Sequence, residues 1–256
     1  LDYISQTVIN CNGVCQEMNS HPTCIDMYGR VIGLCETSSE INGFTISGEG
    51  SEGYGSGIKS YFANPTFKNI IVHSNIAPMG DEGGGLCAYS SDVTIDNSKF
   101  HNNSTTNRSG GAISGYLSNL NISNTDIWDN QGGNEGNGRG GGAWFDQSSV
   151  NFDNVKIYSN TGGSQKGGGL YAYSSDLSIL NCEIMNNTSS EGSGIALFSE
   201  STLNMSNTII RDNYSTSGGS GLFVENSDQI VIQNTLFEGN SMDQGSGRGG
   251  AIYASN

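Results

Sequence analysis

The chain has 256 residues, with 38 glycines, 3 prolines, 34% hydrophobic and 14% charged side chains, the composition of a turn-rich β protein rather than a helical one. Twenty-five acidic against ten basic residues give a formal charge of −15, which excludes general affinity for nucleic acid or anionic membrane surfaces because no basic patch can displace counterions. No apolar run approaches the ~18 residues of a membrane helix, so no membrane insertion by this segment is expected.

Residues 1–57 carry Cys11, Cys15, Cys24 and Cys35, a cluster that suits disulfide stapling of irregular N-terminal coils in an extracellular chain. Spacing alone does not say which pairs bond. Residues 58–256 form regular repeats. Asn69, Asn97, Asn124, Asn154, Asn181, Asn207 and Asn234 recur every 26 to 30 residues, and each is followed six residues later by Asn75, Asn103, Asn130, Asn160, Asn187, Asn213 or Asn240. A period of this length marks a solenoid, because one unit cannot bury its own apolar face and must stack on its copies.

Two residues before the first Asn the column reads Phe67, Ile95, Ile122, Phe152, Ile179, and three after it Val72, Phe100, Ile127, Ile157, Ile184. Apolar positions two apart mean strands. Each repeat therefore reads as a short strand, a turn at the first Asn, a second short strand ending near the second Asn, and a Gly-rich passage to the next copy. Strands this short, with no helix between them, predict an all-β, right-handed parallel β-helix. It would form one elongated domain over residues 1–256, with about nine coils in a rod of roughly 40 Å. Stacking brings equivalent residues together, so the asparagines form ladders that satisfy backbone groups and pass amide hydrogen bonds between coils. The repeat breaks off at Ala251–Asn256 just after a coil opens, which reads as a segment of a longer array.

Measured against the ladder, Cys87 and Cys182 fall three coils apart, too far for a disulfide, and Cys182 shares an inward column with Val155 and Thr208. Among the Asn-x-Ser/Thr sequons, Asn107, Asn121 and Asn204 are the candidates for N-glycosylation in a secreted protein, whereas Asn103, Asn187 and Asn213 belong to the ladder. His73 and His101 stack in a column continued by Trp128, Tyr158 and Met185. Two residues after the first Asn, Lys99, Asp126, Lys156 and Glu183 alternate in charge up the rod. Arg108, Arg139 and Lys166 line up before successive Gly-Gly pairs, with Glu82 and Glu191 in comparable places. Asp81, Glu82 and Asp243 are ligands of the type calcium uses, although no EF-hand or nonapeptide repeat is present; no other cofactor or metal is expected.

The second position after the Gly-Gly pairs includes Ile113, Trp144, Tyr171 and Phe223. If the first and third positions point inward, these four form an exposed strip for lateral association or glycan stacking; if the strand phase is reversed, they are core. The longest connection, Gln131 to Arg139, is Gly- and Asn-rich, a composition that suits either a binding loop or simple flexibility.

Gly110-Gly111-Ala112-Ile113 and Gly249-Gly250-Ala251-Ile252 alternate with Phe100-His101-Asn102-Asn103 and Phe237-Glu238-Gly239-Asn240. They resemble the GGA-aliphatic and FxxN pair of the chlamydial polymorphic outer membrane protein repeat, over about residues 57 to 256. The resemblance implies a right-handed β-helix passenger with adhesive or surface roles and no catalytic residues to transfer. Val8-Ile9-Asn10-Cys11-Asn12-Gly13 and Ile41-Asn42-Gly43-Phe44-Thr45-Ile46 resemble coil-opening patterns of the wider pectate-lyase-like superfamily, and Gly33-Leu34-Cys35 matches Gly85-Leu86-Cys87. Residues 1–57 are therefore expected to form coils too.

Beta-helices also host polysaccharide lyases and hydrolases, and Asn124-Thr125-Asp126 resembles the first of four polygalacturonase motifs. The other three motifs are missing, and Asp126 is accounted for as one rung of the charge column. Glycoside hydrolysis needs two suitably placed carboxylates, one with a raised pKa, and nothing in the sequence designates them. The expectation is a non-catalytic structural or adhesive protein at the cell surface or outside the cell, a subunit or segment of a fibre or filament. Its partners would be like subunits, other surface proteins or glycans. The alternative is a carbohydrate-active β-helix enzyme or a glycan-binding module.

Overall fold

The computed structural model describes residues 8–10, 32–47, 57–77, 82–133, 138–163, 166–243 and 249–255. One coil shows how the sequence becomes a fold. Ile113–Tyr116, Asn119–Ser123 and Asp126–Trp128 are short strands separated by corners at Leu117 and Asn124, whose φ values of 52° and 49° turn the chain sharply. Alternation along the strands then places Ile113, Gly115, Leu120, Ile122 and Ile127 inside.

Equivalent strands pair in parallel and in register from coil to coil. Sheet I has nine strands, from Ile32–Cys35 to Ile252–Ser255; sheet II has eight coil strands, from Glu40–Asn42 to Ile230–Gln233; sheet III has eight, from Thr45–Ser47 to Leu236–Glu238. A fragmentary fourth sheet follows the second Asn, knitted by single bridges through Gln131 and Thr161. The molecule is an all-β, right-handed parallel β-solenoid of about seven regular turns.

Four expectations are corrected. Each repeat holds three main strands rather than two, because the Gly-rich passage runs directly into a strand of sheet I. The regular turns number about seven rather than nine, with a part-coil at either end. Val8–Asn10 pairs antiparallel with Glu40–Asn42, so it covers the open edge of sheet II instead of opening a coil. Finally, Leu34 registers through Ser60 with Ala88, and Cys35 through Tyr61 with Tyr89, two residues away from the Gly33-Leu34-Cys35 match. Cys35 is disulfide-bonded; Cys11, Cys15 and Cys24 lie outside the described residues.

The fourteen asparagines divide into two kinds. Asn75, Asn103, Asn130, Asn160, Asn187 and Asn213 are buried to 1% exposure or less, and Asn240 ends their ladder half-buried. Asn130 shows the pattern. Its Nδ2 donates to the carbonyls of Phe100 (3.0 Å) and Trp128 (2.8 Å) and to Asn160 Oδ1 (3.0 Å), and its backbone N–H donates to the same Oδ1 at 3.0 Å. Its own Oδ1 accepts from the N–H (2.9 Å) and Nδ2 (3.0 Å) of Asn103. The other set, Asn69 to Asn234, is exposed at φ of 46° to 56°, a left-handed conformation that Asn tolerates better than most residues. These side chains bond across the surface, as from Asn154 Nδ2 to Asn124 Oδ1 at 2.8 Å.

Two hydroxyl ladders complete the corners. Between sheets I and II, the N–H groups of Ser91, Ser118 and Ser148 each donate to the Oγ of the next serine at 3.0 to 3.1 Å. Between sheets II and III the column runs Ser98, Thr125, Val155, Cys182, Thr208. Cys182 takes a serine's place: its N–H donates to Thr208 Oγ1 (3.3 Å) and its thiol to the Leu180 carbonyl (3.1 Å). Burial pushes that thiol up to about 11.

The glycine triplets follow from the same stacking. Gly140 turns at φ 63°, and a Cβ on Gly141 would collide with the Thr161 carbonyl of the neighbouring coil. Ala112 occupies the third-glycine place held by Gly142, which shifts the apparent Gly-Gly-Ala-Ile phase by one residue.

Asn130→Ala takes the acceptor from the Asn103 backbone N–H and a donor from the Phe100 and Trp128 carbonyls, while Asn103 Nδ2 keeps the Val72 carbonyl; each buried group left unsatisfied costs about 1–3 kcal/mol. The variant is expected to lose at least ~3 kcal/mol in urea denaturation, against less than ~1 kcal/mol for exposed Asn154→Gly.

Candidate functional site

Ile113, Trp144, Tyr171 and Phe223 do not form an exposed strip: their exposures are 0%, 8%, 3% and 1%. Ile113 belongs to a different column, in register with Leu86 and Ala143 of the core, and Ser114 stands in its expected place beside Trp144. The other three do point away from the core, yet they are covered. Turns at Gly140, Gly167 and Gly219 lie so close that an added Cβ would come within 3.0, 2.7 and 2.9 Å of the Cβ atoms of Trp144, Tyr171 and Phe223. Cations complete the cover. The Arg139 guanidinium sits 5.2 Å from the Tyr171 ring, and Lys166 Nζ sits 4.2 Å from Phe198 and 5.0 Å from Phe223.

Sheet I thus carries a second apolar layer on its outer side, separate from the core. Lys166 is also paired with Glu191 at 2.8 Å and Glu225 at 3.4 Å. Arg139, Lys166 and Glu191 share their column with Ser109 and Glu82, so Arg108 lies one residue ahead of the expected stack. Burial pushes the Tyr171 hydroxyl up to about 12. Burial also raises the Asp146 carboxyl, against a hydrogen bond from Gln147 and the charge of Arg139.

The outer side of sheet III is a grid. Its columns are the exposed asparagines, the alternating charges Lys99, Asp126, Lys156 and Glu183, and the rings of His73, His101, Trp128 and Tyr158. The rings stack at 5.1, 4.4 and 5.7 Å within 17° of parallel, so they show solvent their edges rather than their faces. Burial, and then the neighbouring His73, lowers the pKa of His101. Asn97, Asn124, Asp126, Asn154 and Lys156 line a shallow depression of about 470 Å³. Within the Asn124-Thr125-Asp126 triplet, Asn124 donates to Asp96 Oδ1 (2.8 Å) and Thr125 Oγ1 points inward to the Ser123 carbonyl (2.6 Å).

Among the described residues no three histidine, cysteine, aspartate or glutamate side chains gather as a metal site. Asp243 accepts a hydrogen bond from the Tyr214 hydroxyl, and Asp81 lies outside the described residues, as do residues 134–137 of the long connection. Asn121 and Asn204 stand exposed on sheet II, and Asn107 is half-buried in a connection. Among the described residues no helix is long and apolar enough to cross a membrane.

Residues 132–256 match the family model described as a right-handed β-helix region. No curated protein matches the sequence significantly. Among solved structures, the chain is similar to the A-module of mannuronan C-5 epimerase AlgE6 from Azotobacter vinelandii. The identity is 12%, the alignment covers 89% of this chain and 76% of that one, and the TM-score is 0.33. It is similar also to PfbA, a surface adhesin of Streptococcus pneumoniae, at 12% identity over 82% of this chain and 62% of that one, with a TM-score of 0.37.

Trp144→Ala is expected to cost about 3–5 kcal/mol in chemical denaturation, as for a core aromatic. Unchanged stability would instead mark Trp144 as an exposed contact residue.

Proposed function

We propose that this chain is a non-catalytic rod of the cell surface or extracellular space, with a structural or adhesive role exercised through its outer faces. The observation that carries this reading is the filled outer side of sheet I. There the Gly-rich connections could have flanked a substrate groove, but Trp144, Tyr171, Phe198 and Phe223 occupy the space. The cations on that side are committed to rings and, for Lys166, to two carboxylates. Asp146 is the acid there with a raised pKa, and the charge acting on it is that of Arg139 rather than of a second carboxylate.

The likeness of the repeats to the chlamydial GGA-aliphatic and FxxN pair supports a surface role. So does the early cysteine cluster. Like subunits in a filament, other surface proteins, or glycans are the partner classes that such a rod would meet.

Purified protein incubated with neutral and acidic polysaccharides is expected to release neither reducing ends nor unsaturated products. Product release that Asp126→Asn or Asp146→Asn abolishes would replace this reading with a carbohydrate-active enzyme.

A further inference from the structure

We infer that the outer face of sheet II, with the corner that joins it to sheet I, binds an extended neutral polysaccharide lying along the solenoid axis. This inference rests on the adhesive reading and names its partner and its face.

The corner supplies the first observation. Its column runs Phe62, Ser90, Leu117, Gln147, Ser174, Ser199 and Asn226, with φ between 45° and 52°. Left-handed backbone suits small polar residues and strains a bulky one. Phe62 and Leu117 adopt it nonetheless, and 44% and 45% of each stays open to solvent. Backbone strain carried by a half-exposed apolar side chain points to a use at the surface. Beside them Tyr61 stacks on Tyr89 at 4.5 Å, Tyr116 lies tilted by 33° against Tyr89 at 5.2 Å, and the Phe62 ring is edge-on to the first two. The result is an apolar ledge across three coils.

The second observation is the floor that begins where the ledge ends. The outward positions of sheet II from Asp92 to Ser206 are almost all Asn, Asp, Ser or Thr, locked rung to rung. Asn119 Nδ2 donates to Asp92 Oδ1 (2.6 Å), Asn151 Nδ2 to Asn121 Oδ1 (2.9 Å), and Thr202 Oγ1 to Asp176 Oδ1 (2.6 Å). Short side chains already held in place lose little freedom on binding. Amides, hydroxyls and carboxylates offer both donors and acceptors to sugar hydroxyls, while the ledge suits the C–H faces of pyranose rings.

Charge decides between occupants. Asp92, Asp96, Asp153 and Asp176 stand on this floor, and its one cation on a strand, Lys68, is bonded to Glu40 at 3.0 Å near the N-terminal end. Hydrogen bonds from Ser123 and Asn124 hold Asp96 below the usual carboxylate range. A second copy of this face would bring like charges together, and a polyanion would be repelled. A neutral polymer meets neither cost. Rungs repeat at about 4.8 Å, so a repeating chain engages several at once and gains avidity that a single sugar lacks.

The test uses the full chain made in a bacterial host, so that Asn121 and Asn204 carry no glycan. Affinity electrophoresis through neutral glucan, mannan and xylan is compared with alginate and polygalacturonate. Retardation by at least one neutral polymer and by neither polyanion is expected. Phe62→Ser with Leu117→Ser, residues already accepted at Ser90 and Ser174, should keep the melting temperature and weaken retardation at least tenfold. Binding only to polyanions, unaltered binding in the double variant, or no binding to any neutral polymer would each overturn the inference. Cleavage of a polymer would instead overturn the non-catalytic reading, so the two failures are distinguishable.

Discussion

A buried asparagine that hydrogen-bonds in two directions is the constraint on which this solenoid depends. Its Nδ2 caps a carbonyl of the coil behind, and its Oδ1 takes both amide donors of the preceding ladder asparagine. Where the chain leaves sheet III, backbone bonds between coils run from the residues on either side, Asp129 N–H to the Tyr158 carbonyl and Gln131 N–H to the Asn103 carbonyl, and the asparagine's own N–H is satisfied by the next side chain in the ladder. The ladder therefore sets the register, and register brings Ile over Ile in the core, serine over serine at one corner and ring over ring outside.

Because every residue meets its own counterpart, the outer faces differ sharply from one another. Sheet I is sealed by a second apolar layer under glycine turns and two cations. Sheet III alternates charge beside edge-on rings, and sheet II is a floor of short polar groups with an apolar ledge. A rod of this kind offers different chemistry on each side without changing its core. Exposed charge pairs such as Lys68 with Glu40 add little to its stability, since solvent screens them.

The fold was largely legible in the sequence, because a 26- to 30-residue period and two-residue apolar spacing leave few alternatives. What escaped were features that repeat without being apolar or amidic. The serine corner looks like ordinary polar positions until coils are superposed, and the inward column of Val155, Cys182 and Thr208 was legible without the hydroxyl and thiol hydrogen bonds it carries. Ile113 was misplaced because Ala112 stands where other coils have a third glycine, a one-residue shift that exchanges inside for outside. Trp144, Tyr171 and Phe223 had the correct phase and the wrong exposure, since alternation along a strand does not tell that the glycine turn just before it folds back over its outer side. Phe62 and Leu117 gave a signal only with φ in hand.

Native-state hydrogen exchange at single-residue resolution tests the central claim most directly. The backbone amides of Asn103, Asn130, Asn160, Asn187 and Asn213 donate to side-chain oxygens rather than to strand carbonyls. If the internal ladder holds the coils together, these amides exchange as slowly as those of Ile95 and Ile122 in the middle of sheet II. Exchange as fast as at the exposed corners would contradict the account and leave the core side chains to set the register alone.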